Sequence, residues 1–278
     1  MKLPFILGTP MSNQPTNLAI SGAAGRMGKR LIALGQEDSA FQITAAVEAK
    51  EHPSIGLDAG VLAGIEAIEV PFTSEYPSDV DVVIDFSHSQ GAAAALNYCL
   101  SNNKPLVMAT TGLDVSIIEE IHHAAKQIAV VWAPSMSLAV NLTMKLVETA
   151  GQALKDHGTG VDVEIIEKHH RFKADAPSGT ALKFGEIIAE TMGQTQHQHG
   201  REGLVGERPR NEIGYHAVRT GDNPGAHTIH FGMLGETIEL NVSASNRDCY
   251  ASGALAAAKF VASKPPGLYN MFDVLGLS

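Results

Sequence analysis

A glycine-rich turn between a short strand and a helix is the feature that most restricts the fold of this chain. Residues 18–21 form an apolar run, and the segment GAAGRMG follows it with glycines at positions 22, 25 and 28. The next residues, KRLIALGQE, have helical spacing. Gly22 would allow a tight turn, Gly25 would let a pyrophosphate approach the backbone, and Gly28 would let helix and strand pack closely. This order predicts the first βα turn of a Rossmann-type dinucleotide-binding domain.

An acidic residue in the expected place strengthens this interpretation. A second predicted strand, Phe41–Val47, is followed by Glu48, twenty residues after Gly28. A carboxylate at that separation binds the adenosine ribose in such domains. A glycine turn that merely packs two elements together would explain the glycines but not Glu48.

The choice between the two nicotinamide cofactors is less strongly encoded. Glu48 should bind the ribose of NAD and repel a 2′-phosphate, and the next residue, Ala49, is not basic. Lys29 and Lys50 are near enough in sequence to help a phosphate bind. The sequence therefore favours NADH, or the use of both NADH and NADPH.

Alternating strands and helices continue from residue 80 to residue 132. Predicted strands at 80–86, 105–108 and 128–132 alternate with predicted helices at 90–101 and 116–127. This pattern predicts an α/β fold with a doubly wound parallel sheet, in which ligands bind beyond the carboxyl ends of the strands. The turns at 86–88, 109–112 and 133–137 are therefore expected at the same edge as the glycine turn, with Thr110, Thr111 and residues 134–136 near the nicotinamide.

Residues 161–182, VDVEIIEKHHRFKADAPSGTAL, contain several candidate functional side chains close together in sequence. They begin with the alternation of a half-buried strand and then present His169, His170 and Lys173 in a segment that Ala176-Pro177 keeps from being helical. Residues 178–180 open a new helix, whose free amides can bind an anion. Solvated histidines and an ordinary helix cap are the alternative explanation. Two imidazoles, an ammonium and a helix start together indicate a site for a carboxylated substrate.

The second half of the chain has a different pattern. A long helix at 142–155 precedes the strand at 161, and strands at 213–220, 227–232 and 236–244 are predicted to be antiparallel. This pattern predicts a second, α+β domain with a mixed, mostly antiparallel sheet. Residues 193–211 are predicted to be a mobile loop, in which His197 and His199 lack a third metal ligand. No metal is therefore expected.

The last predicted helix, 246–264, can pack back on the first domain. We therefore expect a flexible N-terminus at 1–16 and a dinucleotide-binding domain formed by 17–140 plus 246–278. Residues 141–245 would be the substrate-binding and oligomerisation domain.

Composition argues against several classes of function. The 278 residues carry a net charge of −10, with no block of Lys or Arg, so nucleic acid and anionic membrane surfaces are not expected partners. No run approaches the roughly 18 apolar residues of a membrane span. The two cysteines have no metal-binding spacing, and the N-terminus lacks a signal-peptide pattern. A cytoplasmic protein is predicted.

Several of these segments resemble one family in the same order along the chain. EIIEKHHRFKADAPSGTAL is similar to the signature of the 4-hydroxy-tetrahydrodipicolinate reductase (dihydrodipicolinate reductase) family. The further similar segments are GAAGRMG, the strand end at Glu48, IDFS, TTG, the turn at 133–137, and S-x-R-x-x-Y-A-x-G-A at 245–254. The resemblance covers nearly the whole chain after residue 17.

The resemblance implies a Rossmann domain, a mixed-sheet domain and a homotetramer built through that second sheet. It implies NADH and/or NADPH as the hydride donor to a small cyclic dicarboxylate. The reaction would reduce 4-hydroxy-tetrahydrodipicolinate, via dihydrodipicolinate, to tetrahydrodipicolinate in the diaminopimelate route to lysine.

The resemblance also implies the roles of individual residues. His169 and Lys173 correspond to proton-transfer positions, and His170, Ser178, Gly179 and Thr180 to substrate-binding positions. The cofactor-binding positions lie on the turns after the strands: Gly22, Ala23, Ala24, Gly25, Arg26, Met27, Glu48, Ala109, Thr110, Thr111, Ala133, Pro134, Ser135 and Met136.

The chain departs from the family pattern at four places. They are Ala109 for a usual glycine, Ala49 for a frequent arginine, Ser135-Met136-Ser137 for Asn-Phe-Ser, and His88 for a frequent arginine. These departures bear on the cofactor preference and not on the reaction.

Two alternative functions stay open at this point. An aspartate or amino-acid dehydrogenase on the same scaffold would be favoured by a cysteine nucleophile or a lone Lys/Asp pair in the second domain. A catalytically silent nucleotide-binding regulator would lack His169 or Lys173, and both are present. The sequence leaves open which of these two residues gives the final proton, and whether the substrate is the hydroxylated or the dehydrated ring.

Overall fold

The computed structural model describes residues 14–277, which divide into two compact units. The first unit runs to Trp132 and includes Ala254–Tyr269, whereas the second is Ala133–Gly253 with the residues from Asn270 onward. The N-terminus predicted to be flexible lies largely outside the described residues, and regular structure begins at Thr16.

A seven-stranded sheet forms the centre of the first unit, and all of its strand pairings are parallel. Its strands are β1 (Thr16–Ser21), β2 (Phe41–Val47), β3 (Phe72–Thr73), β4 (Val82–Asp85), β5 (Leu106–Met108), β6 (Ala129–Trp132) and β12 (Gly267–Tyr269). The order across the sheet is β12-β6-β5-β4-β1-β2-β3.

Helices connect these strands: α1 (Arg26–Glu37), α2 (Ala59–Ala63), α3 (Ser89–Asn102), α4 (Val115–Ala124) and α7 (Asp248–Val261), which begins in the second unit. Val82 and Val83 point to opposite faces of β4 and both are fully buried. Both faces of the sheet are therefore covered, which explains why its central strands are almost entirely apolar. The predicted doubly wound parallel sheet is confirmed, although the sequence analysis missed the short elements α2, β3 and β12.

A five-stranded mixed sheet forms the centre of the second unit, with the order β11-β10-β7-β9-β8. Its strands are β7 (Asp162–His169), β8 (Gln196–His199), β9 (Glu212–Arg219), β10 (Ala226–Met233) and β11 (Glu236–Ser243). Helices α5 (Leu138–Leu154), α6 (Gly179–Met192) and α8 (Met271–Leu275) belong to the same unit. Val163, Ile165 and Phe231 of the sheet form one buried cluster with Phe184 of α6 and Met144 of α5.

The predicted mixed sheet is confirmed, but the predicted direction of one strand is wrong. β9 runs parallel to both β7 and β8, and only the two pairings of β10 are antiparallel. The chain leaves β7, passes through α6 and β8, and re-enters as β9; such a long connection is what parallel strands require.

The segment 193–211 was predicted to be an irregular loop, and this prediction is wrong for four of its residues. Gln196–His199 form β8 beside β9, where the Nδ1 atom of His197 lies 2.8 Å from the Tyr215 hydroxyl. Arg208 and Arg201 both bind the carboxylate of Glu164 on β7. Within residues 14–277, no group of three or more His, Cys, Asp or Glu side chains is arranged to hold a metal ion.

The borders of the two compact units differ from the domain borders expected from the sequence. The expected borders fell at 140/141 and 245/246, whereas the units divide at 132/133, 253/254 and 269/270. The C-terminal helix α8 contacts α5 and belongs to the second unit. Among the described residues, no helix is both long enough and apolar enough to cross a membrane.

Candidate active site

The glycine turn lies at the carboxyl end of β1, where its backbone packs closely against neighbouring strand ends. The amides of Gly22 and Ala23 donate to the carbonyl of Val47, at 3.0 and 3.2 Å. Gly22 has a φ of +71°, and a Cβ there would lie 2.6 Å from the Phe86 carbonyl oxygen. A Cβ on Gly28 would lie 2.4 Å from the Gly22 carbonyl oxygen. The turn therefore requires glycine at both positions.

Glu48 lies beside this turn, directly after β2. Its Oε2 atom accepts a hydrogen bond from the amide of Ala24 at 3.2 Å, and Oε1 accepts one from Ala49 at 3.0 Å. Helix α1 begins after Gly25 without a capping side chain, so its first amides are available to a ligand. An anion at this helix start and a ribose at Glu48 would be neighbours.

A cavity of about 450 Å³ opens at this edge of the sheet. It is lined by residues at the ends of β1 and β2, by residues 74–76 and by the start of α3: Ser21, Gly22, Val47, Glu48, Ala49, Lys50, Ser74, Glu75, Tyr76, Ser87, His88, Gln90, Gly91 and Ala94. Its size and its position at the strand ends suit the nucleoside part of a dinucleotide.

A buried carboxyl at the end of β4 organises the neighbouring turns. Asp85 is fully buried and accepts hydrogen bonds from the hydroxyls of Thr110, at 2.5 Å, and Ser87, at 2.6 Å. The Ser87 amide donates to the Thr110 hydroxyl oxygen at 2.9 Å, which closes the ring of contacts. Burial raises the pKa of Asp85, although hydrogen bonds from Ser87 and Thr110 oppose that shift. The group thus fixes the turn that carries Ala109, Thr110 and Thr111.

Residues 133–136 begin the second unit directly after β6. Ala133 and Met136 are buried, whereas Pro134 is exposed. The Asn141 side chain donates to the Ser135 carbonyl at 2.9 Å and holds the turn against the start of α5. Gly253 packs on this turn so closely that an added Cβ would overlap the Met136 carbonyl oxygen.

The two residues predicted to transfer protons lie at the end of β7 and in the turn that follows it. His169 is buried at the last position of β7, and the Lys173 amide donates to the His170 carbonyl at 3.1 Å. The Lys173 ammonium donates to Asp175 at 2.8 Å. This hydrogen bond holds the pKa of Asp175 below its usual value. Lys173 lies in a turn, as predicted, but His169 belongs to strand β7 and not to the irregular segment expected from the sequence.

Glu167, which the sequence analysis did not single out, joins the parts of this site. Its carboxylate lies 2.5 Å from Nδ1 of His169 and accepts two hydrogen bonds from Arg219 of β9, at 2.8 and 2.7 Å. The Ser178 amide donates to it at 3.1 Å. Burial works against ionisation, but the hydrogen bonds from Arg219 and His169 outweigh it, and the pKa of Glu167 lies below its usual value.

Ser178 is the N-cap of α6, and its polar atoms are used inside the protein. Its hydroxyl accepts from the Ala181 amide at 3.2 Å and lies 3.1 Å from Nε2 of His227, a buried residue of β10. Burial, together with the nearby His169, lowers the pKa of His227 to about 4. His227 is therefore neutral at neutral pH and serves here as a hydrogen-bonding partner of the cap.

The other predicted substrate-binding residues lie on either side of Lys173. Nδ1 of His170 is buried without a hydrogen-bond partner among residues 14–277. Gly179 and Thr180 begin α6, where the first amides of a helix have no partner within the helix. The helix start therefore provides unused donors, and His170 an unused ring nitrogen, in the same unit as His169.

The structure thus brings His169, Lys173, His170 and residues 178–180 together within the second unit, and Gly22, Glu48 and Thr110 along one sheet edge in the first. The residues missed were Asp85, Glu167, Arg219 and His227. A charged residue inside the apolar strand VVID was a visible signal for Asp85. Glu167 lies two positions before His169 and so on the same strand face, which was a second signal.

Comparisons with known proteins relate both halves of the chain to one family. The family model for the dihydrodipicolinate reductase N-terminus matches residues 16–136, and the model for the C-terminus of the same family matches residues 139–275. The chain belongs to the dihydrodipicolinate reductase family. The 4-hydroxy-tetrahydrodipicolinate reductase of Rhodopirellula baltica is 56% identical to this reductase over 275 residues, covering 96% of this chain and 98% of the relative.

Two further relatives are similar over almost their whole length. The 4-hydroxy-tetrahydrodipicolinate reductase of Alkalilimnicola ehrlichii is 45% identical, covering 94% of this chain and 99% of that protein. A solved structure of dipicolinate-bound dihydrodipicolinate reductase from Paenisporosarcina sp. TG-14 superimposes with a TM-score of 0.75 at 25% identity, covering 93% and 98% of the two chains.

The chain is thus an oxidoreductase that uses a nicotinamide cofactor to reduce 4-hydroxy-tetrahydrodipicolinate in lysine biosynthesis. Family membership over both halves sets aside the alternative of an aspartate or amino-acid dehydrogenase and that of a silent regulator. The cofactor edge suits the expected NADH or NADPH, because it offers an open helix start, a carboxylate beside the glycine turn and a cavity lined by Gly22 and Glu48.

Proposed function

We propose that His169 and Lys173 manage the proton that completes this reduction. The observation that carries the proposal is their placement at the end of β7: a buried imidazole held by Glu167 is followed four residues later, in the next turn, by an ammonium held by Asp175. The nicotinamide supplies a hydride to a conjugated C=C–C=N system, which leaves an enamine that must take up one proton. A positioned acid at this step accelerates such reactions by about 10²–10⁴-fold.

Of the two residues, Lys173 is the one that we propose as the proton donor. Its ammonium donates a hydrogen bond to Asp175 at 2.8 Å and carries a transferable proton. Burial lowers the pKa of His169, and the positive charges of Lys173 and Arg219 act in the same direction, against the effect of Glu167. His169 is then neutral, and its Nε2 can accept a proton.

The carboxylates of the substrate are proposed to bind at the amides of Gly179 and Thr180 and at His170. The buried, unpartnered Nδ1 of His170 supports this, as does the helix start that follows the Ser178 cap. The relative from Paenisporosarcina binds dipicolinate, a small cyclic dicarboxylate, which supports the same class of ligand for this chain. Ser178 acts here through the helix start that it caps.

The cofactor contacts are proposed for the edge built by residues 22–27, Glu48 and 109–111, together with the turn at 133–136. Glu48, Ala49 and Glu75 line the cavity, so two carboxylates and one uncharged side chain would surround the adenosine ribose. A 2′-phosphate would be repelled there, and Lys50 offsets this only in part. We therefore propose a preference for NADH, with NADPH as a poorer donor.

A homotetramer and a cytoplasmic location complete the proposal. Two apolar side chains lie on the outer face of the second sheet: Ile166, which is half-buried, and Val218, which is 38% exposed. A subunit contact would cover both. Light scattering after gel filtration would test the tetramer.

Cys99 and Cys249 are free thiols, which suits a reducing compartment, and cell fractionation would test the location.

The experiment that tests the proposed site follows NADH and NADPH oxidation with substrate generated in solution from pyruvate and aspartate semialdehyde. His169→Ala and Lys173→Ala are each expected to lower kcat by about a hundredfold or more. NADH titration should give an unchanged dissociation constant, which serves as the control for folding. Either variant within threefold of wild type would refute the role proposed for that residue.

A further inference from the structure

We propose that Glu167 is a positioning residue of this reductase: it fixes the proton of His169 on Nδ1 and leaves Nε2 free for the reaction. The inference rests on the role of His169 proposed above and adds a second residue to it. Among residues 14–277, Glu167 is the carboxylate that hydrogen-bonds the His169 ring.

The geometry follows from strand alternation. Glu167 and His169 lie two residues apart on β7, so both side chains project to the buried face of the sheet. Oε2 of Glu167 lies 2.5 Å from Nδ1 of His169. An ionised carboxylate only accepts hydrogen bonds, so Nδ1 must be the protonated ring nitrogen. The other nitrogen, Nε2, lies beside Gly225, where an added Cβ would come within 3.0 Å.

Arg219 keeps this carboxylate ionised. Its two terminal nitrogens donate one hydrogen bond to each oxygen of Glu167, and the Ser178 amide donates a further one. Four donors, one of them His169, surround this buried carboxylate. Hydrogen bonds to the ionised form favour it over the protonated form. The same guanidinium donates to the Asp175 carbonyl at 2.6 Å, so Arg219 also ties the Lys173 turn to the position of Glu167.

The charged and titratable groups around His169 predict how its titration would respond. Glu167 is on its own strand, Arg219 on β9, His227 on β10, and Lys173 and Asp175 in the turn that follows β7. Burial lowers the pKa of His169, Lys173 and Arg219 add to this, and Glu167 opposes it. Removal of the Glu167 charge should therefore move the titration of His169 to lower pH.

Glu167→Gln tests the inference, because it keeps the shape of the side chain and removes the charge. In the full-length enzyme its kcat should fall by about a hundredfold with KM changed less than threefold. Glu167→Asp, which keeps the charge, should recover at least about tenfold of that loss. The change of kcat with pH that is due to ionisation of His169 should move to lower pH in the Gln variant.

Nitrogen NMR of the histidine rings reports the tautomer of His169. This tautomer would not change if the role of Glu167 were only structural. The signals of His169, identified by their loss in His169→Ala, should show Nδ1 protonated in the wild type. In Glu167→Gln they should show a mixture of tautomers, because an amide can donate to Nδ1 as well as accept from it. Glu164→Gln is the matched control, since Glu164 is a carboxylate of β7 that is also bound by arginines but faces away from His169. It should retain kcat within twofold.

Two outcomes would overturn the inference. One is a kcat for Glu167→Gln within threefold of wild type; the other is an unchanged tautomer and pH profile with a loss of stability alone. Full activity of His169→Ala would instead refute the proposed role of His169 itself, so the two failures are distinguishable.

Discussion

The carboxyl of Asp85 and the hydroxyl of Thr110, 2.5 Å apart, join the carboxyl ends of two neighbouring parallel strands in the first unit. Asp85 is the last residue of β4, and Thr110 lies two residues after β5 ends. Because the Asp85 side chain is fully buried, this contact fixes the turn at 109–111 from inside the sheet rather than from its surface.

The stability that Asp85 contributes should depend on pH with a defined sign. Burial raises its folded pKa above the usual 3.8, so its contribution is fully present below that value and is lost as pH rises through the folded pKa. Wild type should therefore lose stability relative to Asp85→Asn between about pH 4 and about pH 7. Urea unfolding of both proteins at the two pH values measures this change. A difference in unfolding free energy that does not change with pH would contradict the prediction.

Thr110→Val serves as the companion variant for that experiment. It removes the hydroxyl but leaves the ionisable carboxyl in place, so the hydrogen bond to Asp85 and the one from the Ser87 amide are both lost at every pH. A loss of about 1–3 kcal/mol in unfolding free energy is expected near neutral pH.

The glycine turn should tolerate no side chain at position 28. A Cβ there would lie 2.4 to 2.5 Å from backbone atoms of Gly22 and Ala23, which cannot move aside without displacing the turn. Gly28→Ala is therefore expected to weaken NADH binding by about tenfold or more, measured by fluorescence titration. Gly35→Ala on the same helix is the control, because its Cβ would meet only the tip of the Ile43 side chain, at 2.9 Å. Equal dissociation constants for the two variants would show that the tight turn is not what binds the cofactor.

Position 49 should set the cofactor preference. Ala49 lines the cavity between Glu48 and Lys50, where an arginine would place a guanidinium beside a 2′-phosphate. Ala49→Arg is expected to raise the ratio of kcat/KM for NADPH over NADH by about tenfold. Ala49→Gln, with a long but uncharged side chain, should leave the ratio nearly unchanged. An arginine variant that behaves like the glutamine variant would place the 2′-phosphate elsewhere.

Glu164 should stabilise the second unit in a pH-dependent way. Burial disfavours its charge, but Arg201, Arg208 and His216 reverse this and bring its pKa to about 2. Its contribution is therefore present above the usual 4.5 and lost as pH falls toward about 2. Glu164→Gln should cost about 1–2 kcal/mol of unfolding free energy at neutral pH, because the network is only partly buried.

Amide hydrogen exchange should show which part of the second unit loses stability in Glu164→Gln. Arg201 and Arg208 lie in the segment 200–211, so its amides should exchange faster in Glu164→Gln than in wild type. Glu186→Gln breaks an exposed pair with Lys183 and should change the unfolding free energy by less than about 0.5 kcal/mol. Unchanged exchange in the segment would mean that the arginines do not hold it in place.

Local patterns in the sequence predicted five of the seven strands of the first sheet and two groups of candidate site residues. Glycine spacing, the acid at position 48 and apolar runs are local signals, and each element they predicted is present. The short strand β8 was missed because its sequence, QHQH, has neither apolar alternation nor β-branched residues.

The direction of β9 and the partner of Glu167 could not have been predicted in the same way. Alternation shows which residues of a strand are buried but not which way the strand runs, so Glu212–Arg219 was assigned the wrong direction. The pairing of Glu167 with Arg219 depends on that direction, because the parallel register places His169 opposite Arg219.

The parallel pairing of β7 with β9 also determines when the site can form during folding. Arg219 is 52 residues from Glu167, and closing a loop of that length costs about 3.5 kcal/mol of chain entropy beyond its fixed part. Helix α6 and the hairpin of β10 and β11 need only local contacts, so they can form earlier. Both strands that flank β7 are distant from it in sequence, so the charge that keeps Glu167 ionised arrives only with long-range pairing. In a refolding chain of this reductase, the hydrogen-bonding partners of His169 would therefore assemble in a late step.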